Sequence, residues 1–162
     1  MEFKISEKLA RTPFLEQSDF NIKQLDYRMN RAIAIDTTKA ENHSEFLMVF
    51  DSALVLFRSL FLEKGKKNYT FQNYYIEIGK SEIASQIDAY LDSDFDATGI
   101  SIRIALKFIA DKFICHVDDI TFDEIGLANY YMATLKNPYA SNNLANIVKN
   151  LNCIISQGGQ TT

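Results

Sequence analysis

The segment from Asn42 to Gly65 most constrains the fold, because its apolar residues recur at spacings of three and four. The recurring positions, which share one face of a helix, are Phe46, Phe50, Ala53, Leu54, Phe57, Leu60 and Phe61. The residues that extend the apolar surface nearly round the helix are Leu47, Val49, Leu56 and Leu62. This pattern predicts a central, largely buried helix over about 44–64 that stops at Gly65.

A second helix is predicted from its first turn. Thr121 is placed to cap the helix, and Glu124, three residues later, is placed to bond back to the Thr121 amide. Ile120 and Ile125 stand where a hydrophobic staple would close over this turn. The helix is expected to end before Asn137-Pro138, since a proline disfavours helical backbone in the residue before it.

Four further segments have helical spacing of apolar residues, with short polar connections between them. They are Ser18 to Ile33, Ser81 to Asp92, Ile100 to His116 and Ser141 to Ile155. The positions expected to face inward are Ile22, Leu25, Met29, Ala32 and Ile33; Ile83, Ile87, Tyr90 and Leu91; Ile102, Ala105, Leu106, Ile109 and Phe113; and Leu144, Ile147, Val148, Leu151 and Ile155. The start of the third segment, Ile100–Ile104, is also compatible with a short strand.

Asn68 to Ile78 leaves two alternatives open. Its Tyr and Ile content is compatible with a short β-hairpin near 68–78, whereas Phe71, Tyr74, Tyr75 and Ile78 sit at helical spacing and favour a helix. With only two prolines and six glycines in 162 residues, the chain does not resemble a turn-rich β-sandwich.

The sequence therefore predicts an all-α fold. We expect a single-domain bundle of six or seven helices over 1–156 around the central helix, with a flexible C-terminal tail at 157–162.

The charge of the chain is unevenly distributed. Residues 1–80 have a net charge of +1 and residues 81–162 a net charge of −5. Because phosphate contacts need clustered Lys and Arg, nucleic-acid binding through the second half is disfavoured, whereas a basic protein would be attracted. The first eight residues lack the apolar core of a signal peptide, and no stretch has the apolar length of a membrane span. We expect a cytoplasmic protein that does not bind membranes.

Acidic residues cluster in two turns of the second half. Asp92, Asp94 and Asp96 alternate like the opening of a calcium loop, but Gly99 comes too late and Arg103 stands where the closing Glu would be. The residues expected to contact a basic protein partner are Asp88, Asp92, Asp94, Asp96, Asp118, Asp119, Asp123 and Glu124, with Tyr130 and Tyr131 as amphipathic anchors.

Sites for metals, cofactors or catalysis are not predicted. His43 is expected at an exposed helix start and His116 near a helix end. Cys115 and His116 are adjacent and so do not share a helix face, and they lack the further ligands that a zinc site requires. Cys115 and Cys153 each lie in an apolar run, which predicts buried, reduced thiols.

Ala53–Gly65 resembles a core helix of the small helical HEPN nucleases. Those enzymes use an Arg followed four to six residues later by a His, and neither His43 nor His116 has an Arg at that distance. Because this motif is missing, the resemblance implies at most a divergent enzyme. The alternative function is therefore a divergent HEPN-like RNA-processing enzyme that uses His43 or His116, with Arg58 or Arg103 stabilising phosphate.

The leading hypothesis is a protein-binding protein rather than an enzyme. A small, acidic, helical chain without catalytic motifs is compatible with an immunity protein or antitoxin that neutralises a basic toxin, such as a nuclease, by direct binding. A homo-oligomeric helical adaptor is the third alternative.

Overall fold

A computed structural model describes residues 14–63, 70–96, 99–115 and 121–158 of the protein. These residues form seven α-helices and no β-strand, so the predicted all-α fold is confirmed. The helices are α1 (Phe14–Ala34), α2 (His43–Phe57), α3 (Phe71–Glu77), α4 (Ser81–Leu91), α5 (Ile102–Ile109), α6 (Phe122–Lys136) and α7 (Leu144–Gly158). None of the helices in these ranges has the length and apolar character needed to cross a membrane.

Two helices continue into π-helical segments, and a short 3₁₀ turn, Ala40–Asn42, precedes α2. After α2 the chain runs on through Arg58–Leu62, and Glu63 is already extended, so the helix ends slightly before the predicted 64. After α5 it continues through Ala110–Cys115. The predicted stop at Gly65 lies outside the described residues.

The apolar stripe of α2 and its π-helical continuation is buried. Phe50, Leu54 and Phe57 are almost inaccessible to solvent, and the ring centroids of Phe57 and Phe61 lie 5.0 Å apart. Leu47, which the pattern placed on the extended apolar surface of this helix, is exposed, so this part of the prediction is wrong. A helix buries only the sides that other helices cover, whatever the composition of its remaining surface.

Three of the other helices, α3, α5 and α6, begin after a residue whose side chain caps the first turn. Thr121 and Glu124 form the predicted capping box, in which Glu124 accepts from the Thr121 amide at 2.9 Å. Thr70 caps α3 and Ser101 caps α5, each accepting a hydrogen bond from the amide three residues on. Ile125 is exposed, and its predicted staple partner Ile120 lies outside the described residues.

At two segments, 68–78 and Ile100–Ile104, the sequence was compatible with either a helix or a strand, and the structure confirms the helix in the described residues of both. Phe71–Glu77 forms α3, so no hairpin occupies 70–78. Near Ile100 only an isolated bridge joins Asp94 to Ser101, and α5 starts at the next residue. Thr70 and Ser101 favour the helix at these two segments, because each side chain accepts a hydrogen bond from a first-turn amide that has no acceptor within the helix.

Several boundaries and inward positions differ from prediction. Helix α1 is already helical at Phe14, the first described residue, four residues before the predicted Ser18, and its predicted inward residue Ile33 is exposed. Helix α7 begins at Leu144 and extends to Gly158, so 157–158, assigned by sequence to a tail, is helical. Gly158 is buried against Tyr75, and its carbonyl accepts a hydrogen bond from Lys80, which explains the extension. Residues 159–162 lie outside the description.

The prediction that Cys153 is buried is wrong, since its side chain is exposed on α7. Leu144, Ile147, Val148 and Leu151 define the buried face of α7. Cys153 falls on the opposite side of the same helix. Its apolar neighbours in sequence belong to that other face, because adjacent helical residues point about 100° apart.

Candidate functional site

The acidic residues predicted to bind a partner do not all lie on an open surface. Asp88 and Asp92, one helical turn apart at the end of α4, both bind Arg103 of α5. The guanidinium contacts each carboxylate at 2.6 Å. Arg103 is 9% exposed, whereas the side chains of Asp88 and Asp92 are 50% and 59% exposed. The main role of this pair is therefore to hold a buried cation at the junction of α4 and α5.

The electrostatics of this cluster have a clear cause. Burial alone would lower the pKa of Arg103, but the hydrogen bonds and charges of Asp92 and Asp88 outweigh it and raise the pKa. Asp88 also accepts a hydrogen bond from the Gln72 amide, whose nitrogen bonds the Phe61 carbonyl at 2.9 Å. The cluster thus ties together four helical segments: α3, α4, α5 and the π-helical continuation of α2.

Glu124 is also engaged within the chain. Its carboxylate closes the capping box and lies 3.4 Å from the Lys112 ammonium. The hydrogen bonds from Thr121 lower the pKa of Glu124, and Lys112 adds to the effect. Glu124 therefore stabilises the start of α6 and contributes little free charge to a partner.

Tyr131 is 1% exposed, so the prediction that it forms a surface anchor is wrong. Its ring packs edge-on against Phe95 at 5.7 Å and Phe108 at 6.1 Å. Burial, together with the nearby Asp96 charge, raises the pKa of the Tyr131 hydroxyl. Tyr131 belongs to the core that fixes α6 against α5 and the turn at 92–96.

Tyr130, by contrast, is exposed and connects α6 to the acidic turn. Its hydroxyl donates a hydrogen bond to the Asp96 carboxylate, which raises the pKa of the phenol. Asp94 is exposed in the same turn and accepts a hydrogen bond from the Asp96 amide at 3.2 Å. Asp123 lies two turns before Tyr130 on the same side of α6, about 10 Å away along the axis. These four predicted residues therefore lie on neighbouring parts of one surface.

Sequence reasoning missed the apolar residues of this surface. Phe122 is 91% exposed and Leu127 is 39% exposed, and both lie on the solvent-facing part of α6. The buried side of the helix is formed by Ala128, Tyr131 and Leu135. The sequence does indicate an exposed apolar surface, because apolar residues occur on every side of α6. A helix with one buried face needs apolar residues on that face only. We call Phe122, Asp123, Leu127, Tyr130, Asp94 and Asp96 the α6 surface.

Two predicted partner residues, Asp118 and Asp119, lie outside the described residues, as does His116. Within the described ranges, no group of three or more His, Cys, Asp or Glu side chains is arranged to hold a metal ion. His43 is exposed at the start of α2, as predicted, and its Nε2 lies 2.7 Å from the Thr37 carbonyl.

The arginines invoked for a nuclease are already paired with carboxylates. Arg58 contacts Glu63 at 2.6 Å and Asp111 at 2.7 Å. Arg103 is held by the two aspartates of α4. His43 and Arg58 stand at opposite ends of α2, about 22 Å apart along the helix, too far to act on one phosphate. The geometry gives the nuclease alternative no support from His43 with Arg58.

Comparison with known proteins adds no relative: no protein-family model, curated protein or solved structure matches the chain.

Proposed function

We propose that the protein binds another protein, one with a basic surface, through the α6 surface. The observation that carries this proposal is the exposure of Phe122, Leu127 and Tyr130 on a helix whose inner side is already apolar. Removing such side chains from water is favourable, and grouped apolar exposure is typical of interaction sites. Aromatic residues are also enriched among those that contribute most to binding.

The charge of the surface indicates the kind of partner. Asp96 accepts a hydrogen bond from Tyr130, Asp94 lies in the same turn, and Asp123 follows Phe122 in α6. The half of the chain that contains these residues has a net charge of −5. An apolar centre with a charged rim is a common arrangement in protein interfaces. Complementary charge speeds association and selects against acidic partners.

We further propose that the protein acts as an immunity protein or antitoxin, which neutralises a basic toxin of the nuclease type by covering it. Nucleases that bind phosphate are basic at their active sites, so an acidic surface would compete for the same residues. This assignment rests on charge and surface chemistry. It requires no catalytic group in the protein itself.

The test is affinity capture with the tagged full chain from its native cells, followed by mass spectrometry. We expect a stoichiometric basic protein that is released by salt. Phe122→Ser and Asp123→Lys should each reduce its recovery at least tenfold, as expected for interface anchors and charge reversal.

Matched controls lie elsewhere on the surface. Ile76→Ser removes an exposed apolar side chain on α3, and Glu82→Lys reverses an exposed charge on α4. Both should leave recovery unchanged. If the control variants and the α6 variants lose partner recovery equally, or if none of the four variants changes recovery, the α6 surface is not the binding site. A captured partner that is acidic would refute the charge argument.

A further inference from the structure

A cavity of about 690 Å³ lies where the C-terminal ends of α1 and α6 meet the N-terminal ends of α2 and α7. Its walls include Met29, Ala32, Phe46, Phe50 and Leu135, all of them buried apolar residues. Cavities of roughly 300–1,000 Å³ with mostly apolar walls are those that hold small molecules in proteins. The α6 surface lies towards the other end of α6 and does not contribute to this cavity.

One cationic side chain lies in the cavity wall. Lys136 is half-buried, with its ammonium 5.0 Å from the centroid of the Phe46 ring and 5.5 Å from that of Phe50. In the described parts of the chain no carboxylate lies within ion-pair distance of this ammonium. Burial lowers the pKa of Lys136, and the charge of Asp51 partly offsets the effect.

The start of α7 adds to the positive potential of the cavity. Ala145, in the first turn of α7, lines the wall. The first amides of a helix have no acceptor within the helix, and they carry the positive end of its dipole. The cavity therefore combines apolar walls with one lysine, while the start of α7, whose Asn146 amide already bonds the Asn143 side chain at 2.8 Å, adds only the positive end of its dipole.

We propose that this cavity binds a small amphipathic molecule with an apolar chain and a single carboxylate, of the fatty-acid class, with the carboxylate near Lys136. The apolar walls account for the chain and the half-buried cation for the head group. One lysine, partly compensated by Asp51, matches one negative charge better than two. The cavity is formed by the ends of four helices, whereas a partner helix typically binds in a groove that runs along two helices. The shape of the cavity therefore favours a compact ligand.

The test is calorimetric titration of the full chain with decanoate below its micelle-forming concentration, and with 1-decanol as the neutral equivalent. We expect saturable binding of one decanoate per chain. Decanol should bind about ten to a hundred times more weakly, because it lacks the charge-assisted contact. Decanoate that does not saturate, or that binds no better than decanol, would overturn the proposal.

Four variants separate a binding role from a structural one. Lys136→Met removes the charge but keeps an apolar side chain, and should weaken decanoate binding while leaving decanol binding unchanged. Asp51→Asn should strengthen decanoate binding, because it removes the negative charge that acts on Lys136. Ala32→Phe should block both ligands by filling the cavity. Lys107→Met, an exposed lysine outside the cavity, is the matched charge control and should change neither affinity.

Circular dichroism checks that each variant is folded, and the opposite responses expected of Lys136→Met and Asp51→Asn do not depend on stability. If both variants leave decanoate affinity unchanged, Lys136 is not the carboxylate site and the proposal is wrong. If decanoate fails to bind and the chain self-associates in sedimentation experiments in a way that Ala32→Phe abolishes, the cavity is an interface between two copies instead.

Discussion

Removing both carboxylates that hold Arg103 should destabilise the protein more than removing Arg103 itself. Arg103 is 9% exposed and contacts Asp88 and Asp92 at 2.6 Å each. In the double variant Asp88→Asn/Asp92→Asn the guanidinium stays buried without a counter-charge. Arg103→Met removes the charge along with the cost of burying it, and leaves two carboxylates that are already half in water.

The magnitudes follow from these exposures. Breaking a fully buried pair costs about 3–5 kcal/mol, whereas an exposed pair is worth about 0–1 kcal/mol. Since the cation is buried and the carboxylates are half-exposed, each single Asn variant should cost about 1 kcal/mol, and the double about 3 kcal/mol. The double should exceed the sum of the singles, because in each single variant the other carboxylate still holds Arg103. We expect about 1–2 kcal/mol for Arg103→Met.

The assay is urea unfolding followed by far-ultraviolet circular dichroism, with the free energy of unfolding obtained by linear extrapolation. Asp94→Asn, which changes an exposed carboxylate in the neighbouring turn, is the control and should shift stability by less than about 0.5 kcal/mol. If the double variant costs less than Arg103→Met, the carboxylates are not compensating a buried charge and the reasoning fails. Strictly additive single variants would refute the shared role of the two aspartates.

Three further predictions concern the core and the helix ends. Phe57→Ala should lower the free energy of unfolding by about 3–5 kcal/mol, because Phe57 is fully buried; a loss below about 1 kcal/mol in urea unfolding would contradict its core position. Gly158→Ala should destabilise by about 1 kcal/mol, since the added Cβ would lie 2.9 Å from Cε1 of buried Tyr75; a thermal shift of the same size in a Tyr75→Leu background would exclude this clash. Glu124→Gln should lower the free energy of unfolding at pH 7, and the difference from the unchanged protein should vanish as the pH falls. The folded pKa of Glu124 lies below its ordinary value, so the stabilisation by this carboxylate is complete above about pH 4.3 and is lost when the carboxylate is protonated. Unfolding of both proteins from pH 7 to pH 2 tests this, and a constant difference would contradict it.

Local chemistry made much of the fold predictable. The capping box at Thr121 and Glu124 and the end of α6 before Asn137-Pro138 depend on residues a few positions apart. The stripe through Phe50 and Phe57 likewise needs only the helical repeat. These features could be read from sequence because the interactions that create them act within one or two helical turns.

The candidate site was less predictable, because neighbours in sequence have different surroundings in space. Tyr130 and Tyr131 are adjacent and chemically identical, yet one is exposed and the other is packed against Phe95 and Phe108. Composition cannot distinguish them. Only the docking of α6 against its neighbours decides which ring faces solvent.

The amino-acid sequence alone predicted six helical segments, the capping box at Thr121 and Glu124, and the acidic character of the second half, and it left 68–78 open between a helix and a hairpin. The tertiary structure alone decided that Asp88 and Asp92 bind Arg103, that Cys153 is exposed, and that four helix ends enclose a cavity beside Lys136. The physical reason is range: caps and helical repeats are set by contacts along the chain. Ion pairs and cavities depend on how separate helices pack, and that is fixed by the shape of the whole core.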